Sequence, residues 1–312
     1  MALVKAQGLI IKSVKFGEAN RILTVLTREF GKIQVAANNV GRGKGGATSS
    51  QMFAYSNFTL FRGQKSLYRL NDADCIEFFD VLRSDLEKLS YAAYFADLTC
   101  SITSENNADD EKLLNLLLNA LHLLCKGTPN LRSKFSFNEG PGNIPAAGWE
   151  CHQELVPAND TPVKTAQESK TQVAARLDAV DRLANPNNGL HFNRKIKLVF
   201  ELRAISLAGF MPDFDCCHNC GIEQNINTFD LVNSVVRCKN CIMVAPNIAE
   251  FNDTLLNACR YITMAEMNKI FSFEMNDELL VYLSDIIERY VAIHIDKRLQ
   301  SLDYLKGVLR NG

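Results

Sequence analysis

The apolar repeat of this chain switches from two residues to about 3.6 near residue 80, which restricts it to an α+β fold with its strands first. Gly8–Val14, Arg21–Thr27 and Lys32–Ala36 are short β-branched runs set apart by Gly17 and Gly31. Phe53–Phe61 and Ser66–Phe79 follow, flanking the polar connection Arg62-Gly63-Gln64-Lys65, which reads as a hairpin loop. Five short strands predict a small closed barrel, because closure removes the edges that an open sheet of this size would expose. Beyond residue 80, Leu82, Leu86, Leu89, Ala93 and Leu98 recur at helical spacing, as do Leu113, Leu116, Leu117, Ala120, Leu121 and Leu124. A third helix runs through Phe192, Ile196, Val199, Phe200, Ile205 and Leu207 before Gly209 and Pro212 stop it. Leu279, Leu283, Ile286, Ile287, Tyr290 and Ile293 mark another. The reading is a five-stranded β-barrel domain, 1–80, followed by an all-helical domain, 81–312, with a cysteine element inserted at 213–245. Residues 127–167 hold five of the eight prolines and predict a flexible insert with Trp149 as its hydrophobic anchor, followed by a polar helix over Ser169–Asn185.

Charge is divided as sharply as periodicity. Residues 1–70 carry eleven lysines and arginines against Glu18 and Glu29, a net +9, which leaves −10 for the remainder of a chain whose formal net charge is −1. One part of the surface can therefore attract a polyanion while the rest stays soluble and repels it. The cations are interleaved with Phe16, Phe53, Tyr55, Phe58, Phe61 and Tyr68. Cations neutralise phosphates and any exposed ring can stack a base, the two ingredients of single-strand binding. Most of these aromatics are expected in the barrel core. The candidate nucleic-acid residues are Lys12, Arg21, Arg28, Lys32, Arg42, Lys44, Arg62 and Lys65, with the glycine-rich Arg42/Lys44 loop as the preferred contact region.

Cys217-His218-Asn219-Cys220 and Cys238-Lys239-Asn240-Cys241 form C-x₂-C-x₁₇-C-x₂-C, a spacing that points to zinc. Each short turn brings two thiolates to one ion, and the intervening residues can form a hairpin that returns the second pair. Four thiolates leave no open position for water, so one structural Zn²⁺ is expected on Cys217, Cys220, Cys238 and Cys241. Cys216 would make the first spacing three rather than two. The remaining cysteines that lie singly in apolar contexts, Cys75, Cys100, Cys125 and Cys259, suit a reducing compartment.

Other chemistries find little purchase. His152-Gln153-Glu154 matches the first half of a deaminase signature, but no proline precedes Cys217 or Cys238. Gly41–Gly46 does not fit G-x-x-x-x-G-K-[ST], so nucleotide hydrolysis has no support. An enzyme would need an open metal position or a nucleophile–base pair, and neither is found. The start of the chain lacks the apolar run of a signal peptide and no stretch is apolar enough for a membrane span, so a cytoplasmic protein is expected.

Several blocks in order carry a family likeness: Gly8-Leu9-Ile10-Ile11-Lys12, Gly17–Thr24, Thr27–Lys32, the basic glycine loop, Leu60–Gly63, Leu86–Tyr94, and Gly209-Phe210-Met211-Pro212 before Cys217. Together they resemble the RecO family of bacterial recombination mediators over nearly the whole chain apart from about residues 127–185. The resemblance implies an OB-type barrel, a helical domain and an inserted zinc element. It implies a non-enzymatic role: binding single- and double-stranded DNA, annealing complementary strands coated with single-strand binding protein (SSB), and loading RecA together with RecR, at the bacterial nucleoid during repair. Carried over residue by residue, the DNA role falls on Arg21, Lys32, Arg42 and Lys44, and the metal role on the four cysteines. The paired glycines common before the third cysteine are here Asn233 and Ser234, and the insert is expected to lengthen the chain beyond the family norm. The helical domain would receive the acidic, apolar-ended SSB tail, with Lys195, Lys197 and Arg203 as candidate contacts. The alternative is a zinc-ribbon OB module binding RNA or acting in transcription, which explains charge and cysteines but not the ordered matches.

Overall fold

The computed structural model describes residues 2–16, 20–38, 50–63, 67–107, 110–126, 187–242 and 247–311. Residues 1–129 and 189–312 form one unit and 130–188 a second, of which only the start of a helix is described. The expected insert, its Trp149 anchor, His152 and the polar helix at 169–185 lie outside the described residues.

Five strands make the barrel: β1 (Ala2–Phe16), β2 (Asn20–Thr27), β3 (Gly31–Ala37), β4 (Ala54–Arg62) and β5 (Leu67–Phe78). The ring runs β1-β2-β3-β5-β4 and closes through β1 against β4. Closure depends on the length of β1. Its second half pairs with β2, from Gly8↔Thr27 to Phe16↔Asn20, and its first half pairs with β4, from Ala2↔Arg62 to Leu9↔Tyr55. The seam between β3 and β5 is parallel and short, Gln34↔Leu67 to Ala36↔Arg69. Gly8 lies where β1 is in both pairings, and a Cβ there would stand 2.6 Å from the carbonyl oxygen of Leu26.

Alternation sends Ala6, Ile10, Leu23, Val25, Ile33, Val35, Phe58, Leu60 and Tyr68 into the barrel core. Each large side chain buried there contributes roughly 1.5–3 kcal/mol. Leu9, Ile11 and Leu26 are buried as well, because part of the outer wall is covered. Helix α1 (Leu86–Ile102) packs on β1 and helix α2 (Glu111–Lys126) on β2. A 3-10 turn, Asp80–Ser84, leads from the barrel to α1, which starts where the Asp85 carboxylate accepts the Lys88 amide. Tyr91, Tyr94, Phe95 and Leu98 are fully buried, so α1 is the central helix of the helical region.

Helix α3 (Asn187–Leu207) stacks Phe200 on Phe95 with ring centroids 4.3 Å apart. The chain then forms a three-stranded antiparallel sheet, β6 (Ile226–Asp230), β7 (Val235–Cys238) and β8 (Ile248–Glu250), in the order β7-β6-β8. The β6–β7 hairpin is the one expected between the cysteine pairs, and β8 is an addition to an otherwise helical region. Helices α4 (Asp253–Met264), α5 (Asp277–His294) and α6 (Gln300–Asn311) complete the chain, with Asn252 and Asn276 capping α4 and α5. Among the described residues no helix is long and apolar enough to cross a membrane.

Candidate nucleic-acid interface and metal centre

The registers trace one row of outward-facing positions around the barrel. Val14 pairs with Ile22, Ile22 with Ala36, Ala36 with Arg69, Arg69 with Phe61 and Phe61 with Leu3. Opposed residues share a face, so these side chains form a band opposite in sense to the core positions. A neighbouring row runs Lys12, Thr24, Gln34, Leu67. Leu3, Val14, Phe16 and Leu67 are 56, 48, 67 and 42% exposed. The band thus sets apolar platforms beside the cations Lys12 and Arg69.

The basic residues do not gather at one point. Lys15 pairs with Arg21 at the far end of β1, and Arg62 pairs with Ala2 at its beginning. Among the described residues, Arg21 donates to Ser13 Oγ at 3.4 Å. Arg28 is half-exposed and its charge is shared with Glu111 at 3.2 Å. Arg42, Lys44 and Lys65 lie outside the described residues. Lys32 overturns its expectation: it is 9% exposed, and its Nζ donates to the carbonyls of Cys100 at 2.8 Å and Thr103 at 2.5 Å. These carbonyls end α1, whose last turn has no basic residue of its own. Lys32 therefore caps a helix dipole and ties β3 to α1 instead of facing a phosphate. Beside it, Gly31 at φ +63° touches Asn107 so closely that any Cβ would collide with that backbone.

The expected SSB contacts are also committed inward. Lys195 and Lys197 are 4 and 5% exposed. Lys195 lies over the Phe273 ring and pairs with Glu274. Lys197 bridges Glu201 at 2.8 Å and Glu288 at 3.0 Å, while Tyr94 donates to Glu201 at 2.5 Å. An ammonium enclosed this way cannot also meet a peptide carboxylate in solvent, so both assignments are withdrawn. Arg203 donates to the carbonyls of Ile262 and Ala265, each at 3.4 Å, where α4 ends.

The four cysteines do converge. Their sulfurs all lie within 4.8 Å of one another, with Cys220 and Cys238 3.6 Å apart. Metal–sulfur bonds of about 2.3 Å in a tetrahedron require S···S edges of about 3.8 Å, so the set fits a metal ion. The chemistry agrees. Burial pushes the Cys217 thiol up, but the amides of Cys238, Cys220 and Asn219 outweigh it and hold its pKa at about 6. Cys241 is pushed up to about 12 by hydrogen bonds with the thiols of Cys220, Cys238 and Cys217. Cys217 is thus held toward its thiolate form, and a dication bound among the four sulfurs would favour deprotonation of its ligands.

Comparison with known families matches residues 1–79 to the N-terminal model of recombination protein O, and residues 83–138 and 183–303 to its C-terminal model. The chain belongs to the RecO family. Its barrel is that family's N-terminal OB domain. A DNA repair protein RecO of Acetivibrio thermocellus is 27% identical over 99% of both chains, and one of Alkaliphilus metalliredigens is 25% identical over 98% of this chain and 100% of its own. That of Caldicellulosiruptor bescii reaches 38% over 41% of this chain and 52% of its own. The RecO models pass over residues 139–182, yet the first two relatives align end to end, so length does not set this RecO chain apart as expected.

The substituted glycines also find an explanation. Ser234 has φ +59°, the left-handed region where glycine is unstrained. Its Oγ is 2.8 Å from the Tyr290 hydroxyl and 3.3 Å from His294 Nε2, contacts a glycine could not make. Asn233 donates to Asp230 at 2.8 Å. Sequence reading missed Arg69, Leu67 and the exposure of Phe16 as parts of the outer band. Their signal was present in the alternation with buried Tyr68, but only the strand register joins them to β1.

Proposed function

We propose that this protein is a recombination mediator acting in DNA repair, without enzymatic activity of its own. It binds single- and double-stranded DNA through the barrel, residues 1–80, anneals complementary strands coated with SSB, and acts with RecR to promote RecA loading. The observation that carries this reading is the outer band, where exposed Val14, Phe16 and Leu67 lie among Lys12 and Arg69 on the wall of a five-stranded OB barrel. OB barrels bind oligonucleotides on the face of their second and third strands, which the band crosses at Ile22, Thr24, Gln34 and Ala36, and on their β1–β2 and β4–β5 loops. Lys12, Arg21, Arg62 and Arg69 supply phosphate contacts, joined by Arg42, Lys44 and Lys65 in the connecting segments. The net +9 over residues 1–70 favours a polyanion in that place.

The helical region, 81–312, takes the SSB tail, though not through Lys195 or Lys197. Cys217, Cys220, Cys238 and Cys241 would hold one structural Zn²⁺, whose bonding to thiolates would tie the two cysteine pairs together. The protein works in the bacterial cytoplasm, at the nucleoid during repair.

The test is annealing of two complementary strands, each coated with SSB from the same bacterium. Acceleration by this protein is expected. Tight binding to bare strands with no acceleration would favour an RNA or transcription role.

A further inference from the structure

The first cysteine pair sits on residues 214–223, which belong to no helix or strand. A segment of this kind is held by whatever engages its backbone groups. Arg260 of α4 does so on both sides of the pair. Its Nε donates to the Phe214 carbonyl at 2.9 Å, and its Nη2 donates to Asp215 at 2.6 Å and Glu223 at 3.5 Å. One rigid, planar guanidinium thereby fixes the distance between the two ends of the loop. Arg237, adjacent to Cys238, reaches the same loop from the second pair. Its Nε donates to Asn219 Oδ1 at 3.2 Å and its Nη1 to Asp230 Oδ2 at 2.8 Å. Backbone bonds complete the frame: His218 donates to Val236 at 3.0 Å and Cys217 to Ile222 at 2.8 Å.

We infer that Arg260 and Arg237 are positioning residues for the metal, holding the two cysteine pairs at chelating distance before the ion arrives. The inference rests on the zinc reading of the cluster. Zinc fingers without such support are unfolded when metal-free, and their binding energy is largely spent on folding. Here a sheet and two guanidinium groups already order the loop, so metal uptake costs little rearrangement. A second effect has the same sign. Four thiolates around a dication would carry a net charge of −2, which Arg260, bonded here to neutral carbonyls, would help offset, whereas the charge of Arg237 is already paired with Asp230.

The experiment uses the full chain under reducing conditions. Cobalt(II) is titrated in competition with a chromophoric chelator against the wild type, Arg260→Gln, Arg260→Lys and Arg237→Lys. Wild type is expected to bind one ion with tetrahedral thiolate bands. Arg260→Gln should bind 10–100-fold more weakly, with the same bands and stoichiometry and an unchanged far-UV spectrum. Lysine restores charge but not the fork, so Arg260→Lys should fall between them. The metal-free wild type should keep its near-UV spectrum, a measurement that needs no variant to fold. Unchanged affinity in folded Arg260→Gln, or loss of that near-UV signal on metal removal, overturns the inference alone. Failure of the wild type to take up any cobalt overturns the zinc reading beneath it.

Discussion

Ser234 combines an unfavourable backbone with favourable side-chain bonds, and its two simplest substitutions separate them. Ser234→Ala keeps φ +59° and loses the contacts to Tyr290 and His294, so it should cost about 1–2 kcal/mol in denaturant unfolding. Ser234→Gly loses the same contacts but relieves the backbone, and should fall within about 0.5 kcal/mol of wild type. Lys32→Met should lower stability by about 2 kcal/mol, since it removes two charge-assisted bonds to α1. Single-strand affinity of the folded variant should be unchanged in an anisotropy titration; a matching fall in affinity would return Lys32 to the binding surface. Asp230 carries a pH dependence. Burial pushes its pKa up, but bonds from the Asn233 side chain, Arg237 and the amides of Asn233 and Val232 outweigh this and hold it at about 2, below the ordinary 3.8. Its stabilisation is therefore complete above pH 3.8 and is lost as pH falls through about 2, and Asp230→Asn should flatten that part of the acid-unfolding curve. At this scale the sequence is legible for chemistry and illegible for solvation. Lys12 and Lys32 read alike, yet one lies on the barrel wall and the other is enclosed by helix carbonyls.

The strands themselves were readable because alternation and glycine breaks are local. Their registers were not, since pairing Ala36 with Arg69 or Leu3 with Phe61 depends on how the ring closes. That is why the outer band, and Arg69 within it, escaped the sequence. The band allows a test that separates charge from stacking. Lys12→Glu combined with Arg69→Glu should reduce the slope of log affinity against log salt by roughly 0.7 per lost contact on single strands. Phe16→Ala should weaken binding by about 1–3 kcal/mol with the slope intact, the signature of a lost stacking platform. If Phe16→Ala binds as wild type does, the exposed ring has no part in the interface. The cysteine element shows the same division. Ligand spacing predicted the metal centre, whereas β8 and the contacts of Arg260 are long-range facts with no local signal.

Over the whole molecule, the charge split foreseen from composition falls within β5 and not at the end of the barrel, because Asp72, Asp74 and Glu77 lie on that strand. Its reach was overestimated in one respect, because Arg28 and Lys32 use their charges to join the barrel to the helices. The long first strand has a consequence in time. Ala2 pairs with Arg62 and Gln34 with Leu67, so the ring cannot close until residues some sixty positions downstream have been synthesised. At about 5–20 residues per second, the N-terminal strand waits several seconds on the ribosome with its apolar positions uncovered. Nascent chains stalled just short of β5 should therefore recruit a hydrophobic-binding chaperone, and chains extended past residue 78 should release it.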